Sequence, residues 1–152
     1  MEDYIAKGYP CKLSDKEASK SSPRTWYLPH FAVTSSNKPN RVRIVFDAVA
    51  EHRETSLNKN LLQGPDYRSS LVEVLLRFCT ENVALVVDIE SMFHQVKVCP
   101  EDQDSLRFLW WSGSIDEVPQ EYAMTVHTFG AADSPCSAKS ILLRTADDNE
   151  GR

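Results

Sequence analysis

The longest uninterrupted apolar run in the sequence is Val83–Val87, and it ends directly on a carboxylate, Asp88. Five residues fall far short of the roughly 20 that a membrane helix needs, so no membrane partner is expected. The run is short, continuous and rich in Val rather than alternating with polar residues, which reads as a strand over 83–89 buried on both faces. Upstream, YRSSLVEVLLRFCTEN places Leu71, Val74, Leu75 and Phe78 at helical spacing, with Asp66 or Ser69 available as the cap. Asp88 would then sit where a buried strand emerges from its sheet.

The remaining periodicities are mostly those of strands. WYLPHFAV (26–33) and RVRIVF (41–46) flank SSNKPN, so a hairpin with a longer loop is expected, with Lys38 at its tip. Alternation along the second strand puts Val42, Ile44 and Phe46 on one face and Arg41, Arg43, Val45 and Asp47 on the other. Pro100-Glu-Asp opens a short helix, and LRFLWW (106–111) and EYAMTVHTF (121–129) form a second hairpin. Ser134 and Pro135 start a last helix, Ser134 as its cap and Pro135 as its first residue. Residues 1–23, with KLSDKEASKSSP at their centre, read as a flexible N-terminal linker, leaving 24–152 as the folded part.

Composition narrows the class without naming a function. With 41% hydrophobic and 26% charged residues the chain is globular, and its length suits one domain or a piece of one. The start MEDYIAKGYP has no basic, apolar secretory pattern, so an intracellular and by default cytoplasmic location is expected. Cys11, Cys79, Cys99 and Cys136 share no metal-binding or disulfide spacing and read as free thiols. The net charge is −5, but residues 1–60 hold ten Lys/Arg against seven Asp/Glu, and residues 61–152 hold seven against fifteen. Such asymmetry suits a protein that grips an anion with one part and concentrates carboxylates in another, although solvated surface explains it equally.

Single residues are ambiguous on their own. Asp88, with Glu90 two residues on, offers the carboxylate oxygens a hard divalent cation prefers, yet Asp88 serves as well to cap a turn or pair with an arginine. Arg41 and Arg43 suit phosphate binding or an ordinary exposed strand face. His30, His52, His94 and His127 show no H-E-x-x-H spacing, and neither G-x-S-x-G nor G-x-x-x-x-G-K-[ST] occurs. The Trp110-Trp111 pair fits sheet packing better than base stacking.

The succession WYLPHFAV, RVRIVFDA, SLNKNLLQGPD, VLLRF, VVDIESMFHQV, LRFLWW and EYAMTVHTFGAADSP resembles the reverse transcriptase of Pao/BEL-type LTR retrotransposons over about residues 24–149. The resemblance implies an α+β fold, a partial right-hand polymerase with fingers at about 24–82 and 99–127 and palm elements at about 83–98 and 128–152. Such enzymes join a primer 3′-hydroxyl to a deoxynucleotide with two Mg2+ (or Mn2+) ions held by palm carboxylates. Asp88 would be the first catalytic aspartate, with the Ile89 carbonyl as the adjoining metal contact. Ser91 and Met92 would present backbone N–H groups to the triphosphate. Phe93 would be the aromatic gate that excludes a ribose 2′-hydroxyl. Arg43, and more loosely Lys38, would contact the triphosphate from the fingers, and Gly130 would lie against the nucleotide. Ser134, Pro135 and Arg41 would face the template-primer.

Two departures matter. His127-Thr-Phe-Gly130 stands where many retroviral relatives have Leu-Pro-Gln-Gly, so no glutamine reaches the nucleotide. No Y-x-D-D follows, and Asp147-Asp148 lies only 13 residues beyond Ser134 in the expected helix, without a preceding tyrosine. The expected partners are therefore an RNA/DNA template-primer, dNTPs and the remaining polyprotein domains: rest of palm, thumb, RNase H and integrase. The alternatives are a catalytically dead remnant that binds nucleic acid weakly and an unrelated acidic interaction domain.

Overall fold

LRFLWW and the segment from Gln120 do form the expected hairpin, because alternate large apolar side chains give each strand one face to bury. In the computed structural model, β4 (Arg107–Trp110) pairs antiparallel with β5 (Gln120–Met124), Phe108 opposite Tyr122. Their rings stack at 5.6 Å, and Phe108 and Met124 are 0% exposed. Residues 1–150 are described apart from Asn37, Arg68 and Glu81, and for Ser35 and residues 38–41 the backbone alone is described.

The stretch expected as a flexible linker is structured, and this corrects the sequence reading. It carries α1 (Glu2–Ala6), β1 (Pro10–Lys12) and α2 (Asp15–Ala18), and β1 joins β5 to give the sheet order β1-β5-β4. Two devices hold it. Ser14 and Glu17 form a reciprocal capping box, Ser14 N–H donating to Glu17 Oε2 at 2.9 Å, which makes a helix of a polar sequence. Arg107, 2% exposed, then donates to the carbonyls of Glu17, Ala18 and Lys20 at 3.1–3.2 Å and to Asp104 Oδ1 at 2.8 Å. Its guanidinium fork thus terminates α2 from inside the protein.

The second expected hairpin is β2 (His30–Ser35) with β3 (Lys38–Phe46), in register from His30↔Phe46 to Thr34↔Val42 and shifted at Ser35↔Lys38. The loop is shorter than expected, and Lys38 opens β3 rather than sitting at the tip. Ile44 and Phe46 are buried as the alternation demands, Phe46 edge-on to Phe108 at 5.2 Å, whereas Val42 lies beyond the core and stays 57% exposed. This face joins Leu28, Leu57, Leu106, Tyr122 and Val126 in the hydrophobic core.

Downstream the chain folds less tightly. α3 (Leu57–Asn60) follows a Ser56 cap, and α4 (Leu71–Phe78) matches the expected helix, with Ser70 rather than Asp66 or Ser69 at its N-cap position. The strand expected over 83–89 is absent. These residues carry no regular secondary structure, and Leu85, Val86 and Val87 are 83–86% exposed. A strand needs a neighbour on at least one edge to satisfy its N–H and C=O groups, and neither sheet offers one here. α5 (Ser134–Asp148) closes the described chain, with Asp133 at the N-cap position, Pro135 one residue inside, and Asp147 and Asp148 exposed. Among the described residues, then, the architecture is mixed α/β with two antiparallel sheets, and no helix is long and apolar enough to cross a membrane.

Two outcomes follow. Arg107→Met keeps apolar bulk but leaves three carbonyls and Asp104 without their donor, so urea denaturation should show a loss of about 3 kcal/mol. The open Val-rich segment should drive concentration-dependent association through strand pairing. Val86→Lys should shift sedimentation profiles toward monomer without changing far-UV circular dichroism.

Candidate functional site

The tightest convergence of the motifs occurs where the loop 127–133 crosses the end of β3. Gly130 has φ +110°, and a Cβ there would collide with the carbonyl oxygen of Phe46, so only glycine fits. Asn58, from the SLN motif, clamps the same loop twice: its Nδ2 donates to the Gly130 carbonyl at 2.9 Å, and its Oδ1 accepts from Ala132 N–H at 2.8 Å. Phe129 rests on Phe93 at 4.7 Å and on His94 at 5.6 Å. Four separate sequence blocks thus meet: RVRIVFDA, SLN, the turn after VVDIES, and FGAADSP.

The turn after VVDIES is a single 3₁₀ turn, Met92–Gln95, introduced by Ser91 at φ 52°, a left-handed conformation that leaves Ser91 and Met92 on a sharp bend. Phe93 is half-buried against Phe129, while His94 points into an aromatic pocket and is 5% exposed. Tyr9 stacks on the imidazole at 4.6 Å and Tyr4 meets it edge-on at 5.0 Å. Burial, reinforced by the Lys7 charge, pushes the His94 pKa down to about 4, and Nδ1 has no hydrogen-bond partner.

Other residues occupy different roles from those expected. Ser134 is fully buried, and its hydroxyl donates to the Thr128 carbonyl at 2.8 Å, so it locks the loop internally and its side chain does not face a template. Pro135 and Met92 line a cavity of about 710 Å3 together with Gly64, Tyr67, Val74 and Lys139. Lys139 went unnoticed in the sequence because nothing but its register on α5 brings its charge to that wall. Arg43 is exposed on β3 opposite Val33, and its charge lies close enough to lower the Tyr4 phenol pKa, although burial of that phenol outweighs it and raises the value. The side chains of Lys38 and Arg41 lie outside the described part.

Asp88 and Ile89 sit at the end of the open segment, Asp88 exposed, and no ion pair joins Asp88 to Arg43 among the described residues. Nor does any group of three His, Cys, Asp or Glu side chains among them stand close enough to hold a metal ion. A two-ion centre needs several carboxylates around both ions, so the donor set in these residues does not fit the Mg2+ pair implied for the family.

The His94 environment has a measurable consequence. In the folded state the imidazole stays neutral down to about pH 4, whereas the unfolded chain takes up a proton near pH 6.5. The unfolded state therefore binds more protons between those values, and stability present above pH 6.5 is lost as pH falls, by up to about 1.4 kcal/mol per pH unit. Urea midpoints measured from pH 7 to pH 4.5 should decline accordingly. His94→Phe should flatten that slope, and an unchanged slope would show that the titration lies elsewhere.

In comparisons with known proteins, no family model matches the chain, and neither does any curated sequence.

Proposed function

We propose that this chain is the fingers and first half of the palm of an RNA-directed DNA polymerase of the Pao/BEL retrotransposon type, binding template-primer and dNTP and becoming catalytic only when further palm strands join it. The observation that carries this reading is the clamp on the 127–133 loop. In the resemblance, RVRIVFDA belongs to the fingers and FGAADSP to the palm, and both must border one nucleotide. Gly130 packed on the Phe46 carbonyl and pinned by Asn58 supports such a shared border. Phe93 against Phe129 supports a gate beside it.

The open side of the molecule supports the second half of the proposal. Val83–Ile89 has the composition of a central strand yet no neighbour, and the apolar side chains of α4 and of Ile141, Leu142 and Leu143 on α5 are also uncovered. A sheet completed along 83–89 would cover these faces and bring additional carboxylates to Asp88. Alone, Asp88 is a solvated carboxylate. The competing reading, a remnant that binds nucleic acid without catalysis, draws on the same sparse donor set.

The test is primer extension on an RNA template with Mg2+ and dNTPs. The 152-residue chain should yield no product, whereas a chain continued through a Y-x-D-D hairpin of the same family should extend the primer and lose activity on Asp88→Ala. Continued inactivity of the longer chain favours the remnant. The isolated chain should still bind template-primer, with affinity falling roughly tenfold or more between about 50 and about 200 mM salt. Absence of binding at any salt would overturn both nucleic-acid readings.

A further inference from the structure

The N-terminal segment does more than extend a sheet. Gly8, at φ +71°, ends α1 and folds it back, so that Tyr9 N–H donates to the Tyr4 carbonyl at 3.1 Å and the two rings meet edge-on at 5.5 Å. The Tyr9 carbonyl is fixed in turn by Thr125, beside β5, whose N–H and hydroxyl both donate to it at 2.8 Å. The ring carried on that anchor stacks on His94 with an interplanar angle of 11°. His94 is the immediate neighbour of Phe93 in a 3₁₀ turn of four residues, too short to fix its own orientation. Beyond the turn, His127 N–H donates to the Val96 carbonyl and Val98 N–H to the Thr125 carbonyl, both at 2.9 Å. Thr125 therefore ties down both Tyr9 and the strand-like exit from the turn.

We propose that Tyr9 is a positioning residue: by clamping His94 from an anchor on Thr125, it sets the angle at which Phe93 leaves the turn and rests on Phe129. The proposal rests on the reading of Phe93 as the gate beside the nucleotide sugar, and it assigns the N-terminal segment a part in selecting deoxynucleotides. Tyr9 itself touches no substrate. Met92 and Phe93 belong to a turn that leads from the open segment bearing Asp88, so an N-terminal clamp also limits how far that segment swings.

The test compares Tyr9→Leu with Tyr9→Phe in the full chain by nuclear magnetic resonance. In Tyr9→Leu the nuclear Overhauser contact between the Phe93 and Phe129 rings should vanish and the His94 titration midpoint should rise by a unit or more from about 4, while the Phe108–Tyr122 contact persists. Tyr9→Phe retains the stacking ring and should match the unmodified chain on every readout. A Phe93–Phe129 contact that survives Tyr9→Leu, or is lost equally in Tyr9→Phe, overturns the proposal. If Tyr9→Leu also loses the Phe108–Tyr122 contact, Thr125→Val replaces it as the milder variant, with the same rise in His94 midpoint and the same weakening of the ring contact required. The functional arm measures binding of dUTP and UTP, which differ only in the ribose 2′-hydroxyl, to the same chain with template-primer: the preference for dUTP should fall at least threefold in Tyr9→Leu and return in Tyr9→Phe. No preference in the unmodified chain overturns the gate reading alone, and the ring contact then decides whether Tyr9 positions Phe93.

Discussion

A guanidinium with almost no solvent contact holds this molecule together at its most improbable place. Arg107 sits on a core strand between the apolar residues Leu106 and Phe108, where a charge is tolerable only if every donor finds an acceptor. The acceptors are the last carbonyls of α2, with Asp104 and Glu121. Satisfying the arginine therefore requires that α2 and the turn after it, through Lys20, pack against β4. Because α2 is fixed there, β1 is delivered to the edge of β5, and Tyr9 is delivered to His94. Tyr27, whose hydroxyl donates to Glu121 Oε2 at 2.6 Å, completes the polar seam around the same group.

How much of this was legible depended on whether the controlling interaction was local. The β4–β5 hairpin, the β2–β3 hairpin and α4 follow from alternation and helical spacing over a handful of neighbouring residues, and all three are present. The Ser14–Glu17 capping box was equally local and readable, but the polar composition around it argued for a linker, and composition is the weaker signal when a capping pair is present. What no local pattern encodes is that Arg107 would reach nearly ninety residues back in the chain to the α2 carbonyls. The partner of the Ser134 hydroxyl is equally invisible locally, since the Thr128 carbonyl accepts it only once the loop has closed.

The 83–89 segment failed in the opposite direction. Its sequence is that of a doubly covered strand, and a Val-rich run has a strong preference for strand backbone, yet no strand forms there. Propensity sets the backbone of a strand but does not supply its neighbours, and hydrogen-bond pairing is a property of the sheet. The mismatch between an interior sequence and an exterior position is itself informative, since exposed apolar surface of this kind is what associates with other surfaces. α4 reinforces the point: its apolar residues Leu71, Val74, Leu75 and Phe78 are 46–71% exposed.

The same mismatch governs the chemistry at Asp88. At the end of a formed sheet, a carboxylate is held in a fixed direction with limited water around it, and a second carboxylate nearby raises its affinity for a divalent ion through shared charge. On the exposed 83–89 segment Asp88 faces solvent, and an ion would have to displace that water without a preformed cluster of three donors among the described residues. The loop 127–133 is differently placed. Phe93, Phe129, Gly130 and Asn58 are already locked by packing and hydrogen bonds that involve no metal. The contacts around the 127–133 loop and the exposed carboxylate of Asp88 are thus physically independent: the first form without any strand pairing along 83–89, and the second stays in solvent.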